Sequence, residues 1–456
     1  MIKNISLFTL SGVLAKSCSL LILPMIAHSL SVEEFGDYIL LVSVIMLIQS
    51  TFLFGFEHSL NYYFNKFRAE ANKKILVSTQ TLFILFVLVL FSILSNLIFS
   101  ERIEHLNLIL IWGNLSVFVA YFGTLLKVEM KVFVFLKSQV LQSLVLLLLV
   151  YLFLSKCFLA LEGVLYANIL ALLASIIFIY FFIKRYLTLS FNISLLKKVL
   201  QYGLPLMPAG IMLWGSTQLD RYFILYFQDK YSLGIYAFAL AVVMIPLFLK
   251  TAIKSAIDPF IMKAFHGRSP KTKSYITGYF SLSLFVFSSL FIFLSIFSKD
   301  IVFLIGGSKY LEAVPYIPWL LLIACLTTVN QYFIYGLNFK KSNSYIFKGL
   351  IFMLIINVTL IFVFIQSFSI FGVIFANLLA NIFYTVYLYI NSNKLYPLHH
   401  DVLSNALIIV SALVVVILDV IYFQEGYLYK ILSIFIFIIF NKRIYVTLKD
   451  LLNEGN

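Results

Sequence analysis

Charge is scarce in this 456-residue chain: Asp, Glu, Lys and Arg together make up 11% of it, against about 25% in an ordinary globular domain. So little charge excludes a water-soluble protein of this length. Cysteine is scarce too. The three, Cys18, Cys157 and Cys325, lie in or beside apolar runs, and none pairs with another at metal-ligand spacing, which excludes a disulfide framework and reads as packing. His399 and His400 stand side by side, but no further ligand accompanies them, so no metal site is expected. Long polar loops are also missing. The widest gaps between apolar runs cover about residues 57–75, 184–203 and 256–275, and none accommodates a soluble domain. Any chemistry must lie within or between the apolar segments.

What is present is hydrophobic residues, 62% of the chain. Runs of about 20 apolar residues recur from end to end, each long enough to cross about 30 Å of hydrocarbon as a helix. They lack the alternation of a barrel strand, so the fold class is an all-α integral membrane protein. About fourteen transmembrane helices are expected, centred near residues 16, 47, 87, 116, 147, 172, 215, 244, 287, 325, 355, 381, 412 and 434. The first run, about residues 5–27, is too long for a signal-peptide core and is expected to remain as a span.

The 33 Lys and Arg residues outnumber the 19 Asp and Glu, an excess that on a soluble protein would suggest nucleic acid. Their positions give another reason. Segments on one side hold most of them, among them Arg68, Lys73, Lys74, Lys184, Arg185, Lys197 and Lys198, whereas segments on the other side hold only Arg102, Lys156, Lys230, Lys299, Lys309 and Lys430. This asymmetry is the positive-inside pattern; it predicts both termini in the cytoplasm and no nucleic-acid partner.

The chain also repeats itself. GVLYANILA at 163–171 returns as GVIFANLLA at 372–380, and FGDY at 35–38 is echoed by LGIY at 233–236. Both pairs are six spans apart with the same orientation, which predicts two six-helix lobes related by a pseudo-twofold along the membrane normal. The expected organisation is a lobe over 1–190, a second over 191–395, and two additional spans with a tail over 396–456.

A charge near the centre of a span costs about 2.5–3.5 kcal/mol on insertion scales, so such charges normally face protein or water. Lys16 is central in the first span, on a stripe with Gly12, Ser19 and Leu23. In GLPLMPAGIMLWGSTQLDRYFILYF, residues 203–227, Arg221 shares a sector of about 100° with Gly210, Trp214, Thr217 and Gln218. Asp220 lies about 100° around the helix from Arg221; it is read either as positioning Arg221 from the side or as half of a structural ion pair. Lys250 lies one turn before Lys254, where snorkelling and substrate contact explain it equally. Asp419, Glu57 and His58 are the remaining groups able to titrate in an ion-coupling step. Prolines at 24, 205, 208 and 246 are expected to start or kink spans.

YGLPLMP followed by QLDRYFI and SLGIYAFA, with SVEEFGDY after the first span, IGGSKYLEAVPYI before the tenth and FGVIFANLLA at the twelfth, resembles the polysaccharide repeat-unit flippases, the Wzx-type branch of the MOP superfamily with the MATE-like, inverted-V fold. Pro205, Asp220, Arg221, Gly234 and Tyr236 match the family pattern. The resemblance implies a non-enzymatic carrier in the cell inner membrane that moves an undecaprenyl-diphosphate-linked oligosaccharide between leaflets for O-antigen, lipopolysaccharide or capsule assembly. It implies no cofactor, and a polysaccharide polymerase and chain-length regulator as assembly partners. Candidate substrate-binding residues are Lys16, Arg221, Asp220, Lys250, Trp214 and Gln218. Spans 13 and 14 exceed the twelve of many such carriers and resemble those of the fourteen-span lipid II flippases. Two other readings stand beside this one: a small-molecule or drug exporter of the same fold, and a polyprenyl-dependent glycosyltransferase or polymerase using the acids of EEFGD at 33–37.

Overall fold

The computed structural model describes residues 21–266 and 272–397, with residues 410, 412, 414 and 416. Lys16, His399, His400 and Asp419 lie outside the described residues, as do most of the first expected span and of the last two. In hydrocarbon a backbone N–H or C=O finds no water, so an apolar run closes its own hydrogen bonds as a helix. Among the described residues all regular structure is helical: α1 (Val32–Phe52), α2 (Phe56–Lys66), α3 (Glu70–Phe99), α4 (Leu106–Val128), α5 (Val132–Ser155), α6 (Leu161–Ile183), α7 (Ile193–Gly203), α8 (Met207–Phe227), α9 (Lys230–His266), α10 (Thr272–Ile296), α11 (Ser298–Gly306), α12 (Ile317–Phe339) and α13 (Asn343–Leu395). Nine helical stretches of the described residues are long and apolar enough to cross a membrane. Together with α8 and the division of α13 described below, they account for the expected second to twelfth spans.

The chain divides into two compact units, residues 1–222 and 223–456, with the boundary inside α8. In the first unit, α1 begins with a capping box: the Ser31 hydroxyl accepts from the Glu34 N–H at 3.1 Å, and the Glu34 carboxylate accepts from the Ser31 N–H at 2.7 Å. Glu33 and Glu34 of the EEFGD motif are therefore first-turn acids at a helix N-terminus. Two segments expected as connections contain short amphipathic helices. Phe56, Leu60 and Phe64 of α2 and Leu196 and Val199 of α7 bury their apolar faces with Leu76, Val77, Tyr121 and Leu125 of α3 and α4. Gly55, at φ 64°, lets the chain turn from α1 into α2 while its backbone meets Gly203 at the end of α7; a Cβ at Gly55 would collide with the Gly203 carbonyl. Pro205 lies in the 3₁₀ turn Leu204–Leu206, and Pro208 is in the first turn of α8. A missing N–H costs little at such starts.

In the second unit α12 packs against α9, α10 and α13. Phe280 stacks on Tyr332 with ring centroids 4.1 Å apart, and Phe265 on Phe339 at 3.9 Å. The 53-residue α13 turns at Ser369, whose φ of 50° and ψ of −130° are non-helical. Its two halves form a hairpin: the Asn357 Nδ2–H donates to Asn377 Oδ1 at 2.6 Å, and Gly349 lies against Tyr384 and Tyr387. The turn falls midway between the expected spans centred near 355 and 381.

The sequence repeat has a matching structure in each unit. Gly163, Val164, Leu165, Ala167 and Ala171 of α6 are buried, and so are Gly372, Val373, Ile374, Ala376 and Ala380 of α13. Each repeat starts where the chain has just turned. Gly163 lies against Phe153 at the end of α5, and a Cβ at Gly372 would collide with the Phe364 carbonyl. The small residue admits the preceding helix end, so the repeat records the same packing requirement twice.

Candidate functional site

Helix α8 carries four of the six candidate residues. Its first half packs on α1, where Gly210 meets Ser50, with 3.8 Å between an added Cβ and the Ser50 side chain. Farther along, the Trp214 indole N–H donates to the Ser43 carbonyl at 2.8 Å, the Ser43 and Tyr222 hydroxyls are 2.7 Å apart, and the Trp214 and Tyr222 rings lie 5.8 Å apart. Serines on α1 and a glycine on α8 allow the close approach, and the indole uses the carbonyl that Ser43 presents beside its own side chain. Trp214 is thus tied to α1, an anchor for the stretch that follows.

That stretch is polar and buried. Gln218, Asp220 and Arg221 are 6%, 9% and 7% exposed. The Gln218 amide nitrogen donates to Thr217 Oγ1 at 3.3 Å, while its carbonyl oxygen has no partner among the described residues. Asp220 Oδ1 accepts from the Arg221 backbone N–H at 2.9 Å. Arg221 makes no ion pair among the described residues, and its Nε is buried without a hydrogen-bond acceptor. The adjacent acid and base therefore do not neutralise each other side chain to side chain, as their separation around the helix requires. Buried, hydrogen-bond donors in a fixed fork suit a bidentate oxyanion.

Lys250 is on α9 in the second unit. Its ammonium donates to the Thr327 carbonyl at 2.7 Å and to Thr327 Oγ1 at 3.0 Å. Neutral oxygens of α12 thus hold it, with no counter-charge among the described residues. Lys16 lies outside the described residues.

A second polar feature lies within the first unit, and reading the charges alone misses it. A cavity of about 490 Å³ is lined by Gln49 of α1, Glu57 of α2, Trp112, Ser116, Thr124 and Lys127 of α4, and Gln139 and Gln142 of α5. The Oε2 of Glu57 and the Oε1 of Gln142 are buried without a partner among the described residues. The Lys127 ammonium sits 4.1 Å from the centre of the Phe135 ring, a cation–π contact. Glu57 stood out in the sequence only as a titratable group, and its neighbour His58 is exposed. The available signal was Gln139 and Gln142, two amides one turn apart in an apolar run, on one helix face. Among the described residues no group of three or more His, Cys, Asp or Glu is placed to hold a metal ion.

A family model described as "Polysaccharide biosynthesis protein" matches residues 1–265, more than half the chain. The chain belongs to that family. Comparison with curated proteins yields no match. Among solved structures, the lipid II flippase MurJ in an inward closed conformation superposes with a TM-score of 0.74 at 16% identity, covering 98% of this chain and 99% of that one. A multidrug resistance MATE family transporter of the MOP superfamily, in an inward-facing conformation, gives a TM-score of 0.65 at 14% identity, with 84% of this chain and 98% of that one covered. At such identities the likeness establishes the fold: this member of the polysaccharide biosynthesis family is a multi-pass membrane protein with the fold of those two transporters.

Proposed function

We propose that the protein is a flippase that carries undecaprenyl-diphosphate-linked oligosaccharide repeat units across the cytoplasmic membrane, for O-antigen or capsular polysaccharide, by alternating access. The observation carrying this reading is Arg221, a guanidinium buried in a family member's membrane helix without an ion-pair partner among the described residues. A diphosphate crossing hydrocarbon needs such a partner. In this reading residues 1–190 and 191–395 are the lobes that alternate, and the segment after 396 adds two spans. Lys16, Gln218 and Lys250 supply further polar contacts, Trp214 and Asp220 hold Arg221 in place, and the basic segments keep both termini in the cytoplasm.

The MATE likeness supports export of a small molecule as a second reading. Cationic drugs, however, call for an acidic cavity, and Arg221 and Lys250 are basic. The motif offers less to the enzyme reading, since Glu33 and Glu34 serve the start of α1.

Deleting the gene tests the proposal. Cells without it are expected to lose surface polysaccharide and accumulate the lipid-linked repeat unit on the inner leaflet, and a plasmid copy restores both. Normal polysaccharide in the deletion strain would remove the reading. Crosslinking cysteines across the outer rims of spans 1 and 7 is expected to arrest export, and unchanged export at complete crosslinking would exclude alternating access.

A further inference from the structure

The polar cavity inside the first unit has no role in a carrier whose only polar demand is a diphosphate. Its volume of about 490 Å³ falls within the range of roughly 300–1,000 Å³ for small-ligand sites. A buried polar side chain is costly unless it is hydrogen-bonded, yet among the described residues Glu57 Oε2 and Gln142 Oε1 have no partner. Both atoms are acceptors when Glu57 is ionised, so the missing partner is a donor. The lining also limits the ligand's charge. Among the described residues it contains one carboxylate, Glu57, and one ammonium, Lys127, so a diphosphate would meet Glu57 and a simple cation would meet Lys127. A neutral molecule rich in hydroxyl groups meets neither obstacle. Each hydroxyl both donates and accepts, as do the amides of Gln49, Gln139 and Gln142 and the hydroxyl of Ser116.

We propose that this cavity binds a neutral sugar residue of the transported repeat unit, its hydroxyls donating to Glu57 and Gln142 and accepting from Lys127 and the neighbouring amides. The inference rests on the flippase reading above and adds a second subsite to it. Helix α1 connects the two: Ser43 and Ser50 pack against α8, which bears Arg221, while Gln49 lines the cavity. One helix thus borders both the site proposed for the diphosphate and the site proposed for the sugar.

The test uses the full chain in membranes of its own host, with Gln142→Cys and Leu144→Cys made separately; Leu144 lies on the same helix and is exposed. A permeant thiol reagent is applied and its attachment read peptide by peptide by mass spectrometry, so the native cysteines remain. Membranes from cells making the lipid-linked repeat unit are compared with membranes from cells blocked at the first sugar transfer, and with the latter supplied with undecaprenyl diphosphate alone. The repeat unit is expected to slow modification of the residue-142 variant at least fivefold and leave the residue-144 variant unchanged, whereas the diphosphate alone protects neither. Gln142→Leu, at normal protein abundance, is expected to export about tenfold less polysaccharide. Three results would each overturn the proposal: modification at residue 142 indifferent to the repeat unit, protection there by the diphosphate alone, or full export by Gln142→Leu. If the wild-type plasmid cannot restore polysaccharide to the deletion strain, the flippase reading itself fails; if it does and residue 142 is indifferent, only the sugar site fails.

Discussion

Two buried charges of the first unit are treated in opposite ways. At the ends of α4 and α6, the side chain of Glu129 is 8% exposed and gathers partners: Lys131 at 3.1 Å, the Tyr186 hydroxyl at 3.1 Å, and Arg185. Arg185 also donates to the Tyr186 hydroxyl at 2.9 Å and lies over that ring at 4.8 Å. Arg221, equally buried, has no ion pair among the described residues, and the acid beside it accepts from the backbone instead. A charge that only stabilises a fold is surrounded by its partners when the fold closes. One buried without a counter-charge raises the energy of the empty protein and lowers it when a ligand of opposite charge arrives.

The contrast is broken most directly at Arg221. Arg221→Ala is expected to cut export about 30-fold or more, as for loss of a buried charge contact worth at least about 2 kcal/mol, with protein abundance near normal. Arg221→Lys is expected to be only partly active, since an ammonium cannot reproduce the planar fork. Measuring surface polysaccharide against immunoblotted protein checks both. Normal export by the alanine variant would place Arg221 with the structural charges.

Glu129→Gln is expected to do the reverse. It removes the charge shared by Lys131 and Arg185 and lowers stability by about 1–3 kcal/mol, toward the lower figure because Arg185 is half exposed and hydrates readily. Thermal unfolding in detergent should fall, while export per molecule stays near wild type. Loss of export at unchanged stability would reverse the assignment.

Asp220→Asn sharpens the comparison within α8. The amide oxygen can still accept from the Arg221 N–H, so abundance and most export are expected to survive. If the two residues instead form a structural ion pair, Asp220→Asn and Arg221→Gln each lower abundance and the double substitution restores it, an outcome that quantitative immunoblots of the three variants would reveal. The smallest effect belongs to Trp214→Phe. It removes the donor to the Ser43 carbonyl and keeps most of the ring, at a cost of about 1 kcal/mol, visible as a few degrees of thermal stability.

Several elements could be read from the sequence because each depends on residues close together in the chain. The spans follow from local hydropathy, and the buried faces of 163–171 and 372–380 follow from small residues that recur in the same order. The stretch around Arg221 stands out because charge is rare in an apolar run. The turn at Ser369 was legible as a boundary between two spans, though no proline or glycine occupies it. Residues 56–66 and 193–203 read as loops because their polarity hides the apolar faces, which show only once α2 and α7 lie against α3 and α4.

By itself, the sequence determined that the chain spans a membrane as helices, that its basic residues collect at alternate connections, and that Asp220 and Arg221 point different ways. Each is a consequence of solvation or helical periodicity acting over a few turns. Only the tertiary structure decided that Thr327 holds Lys250, that Glu129 gathers its partners while Arg221 has no ion pair among the described residues, and that Gln49, Glu57, Lys127 and Gln142 line one cavity. Those residues come from four helices whose order in the chain does not encode their distances in space. A glutamine in an apolar run looks the same whether it faces lipid, protein or a cavity, and packing alone makes that choice.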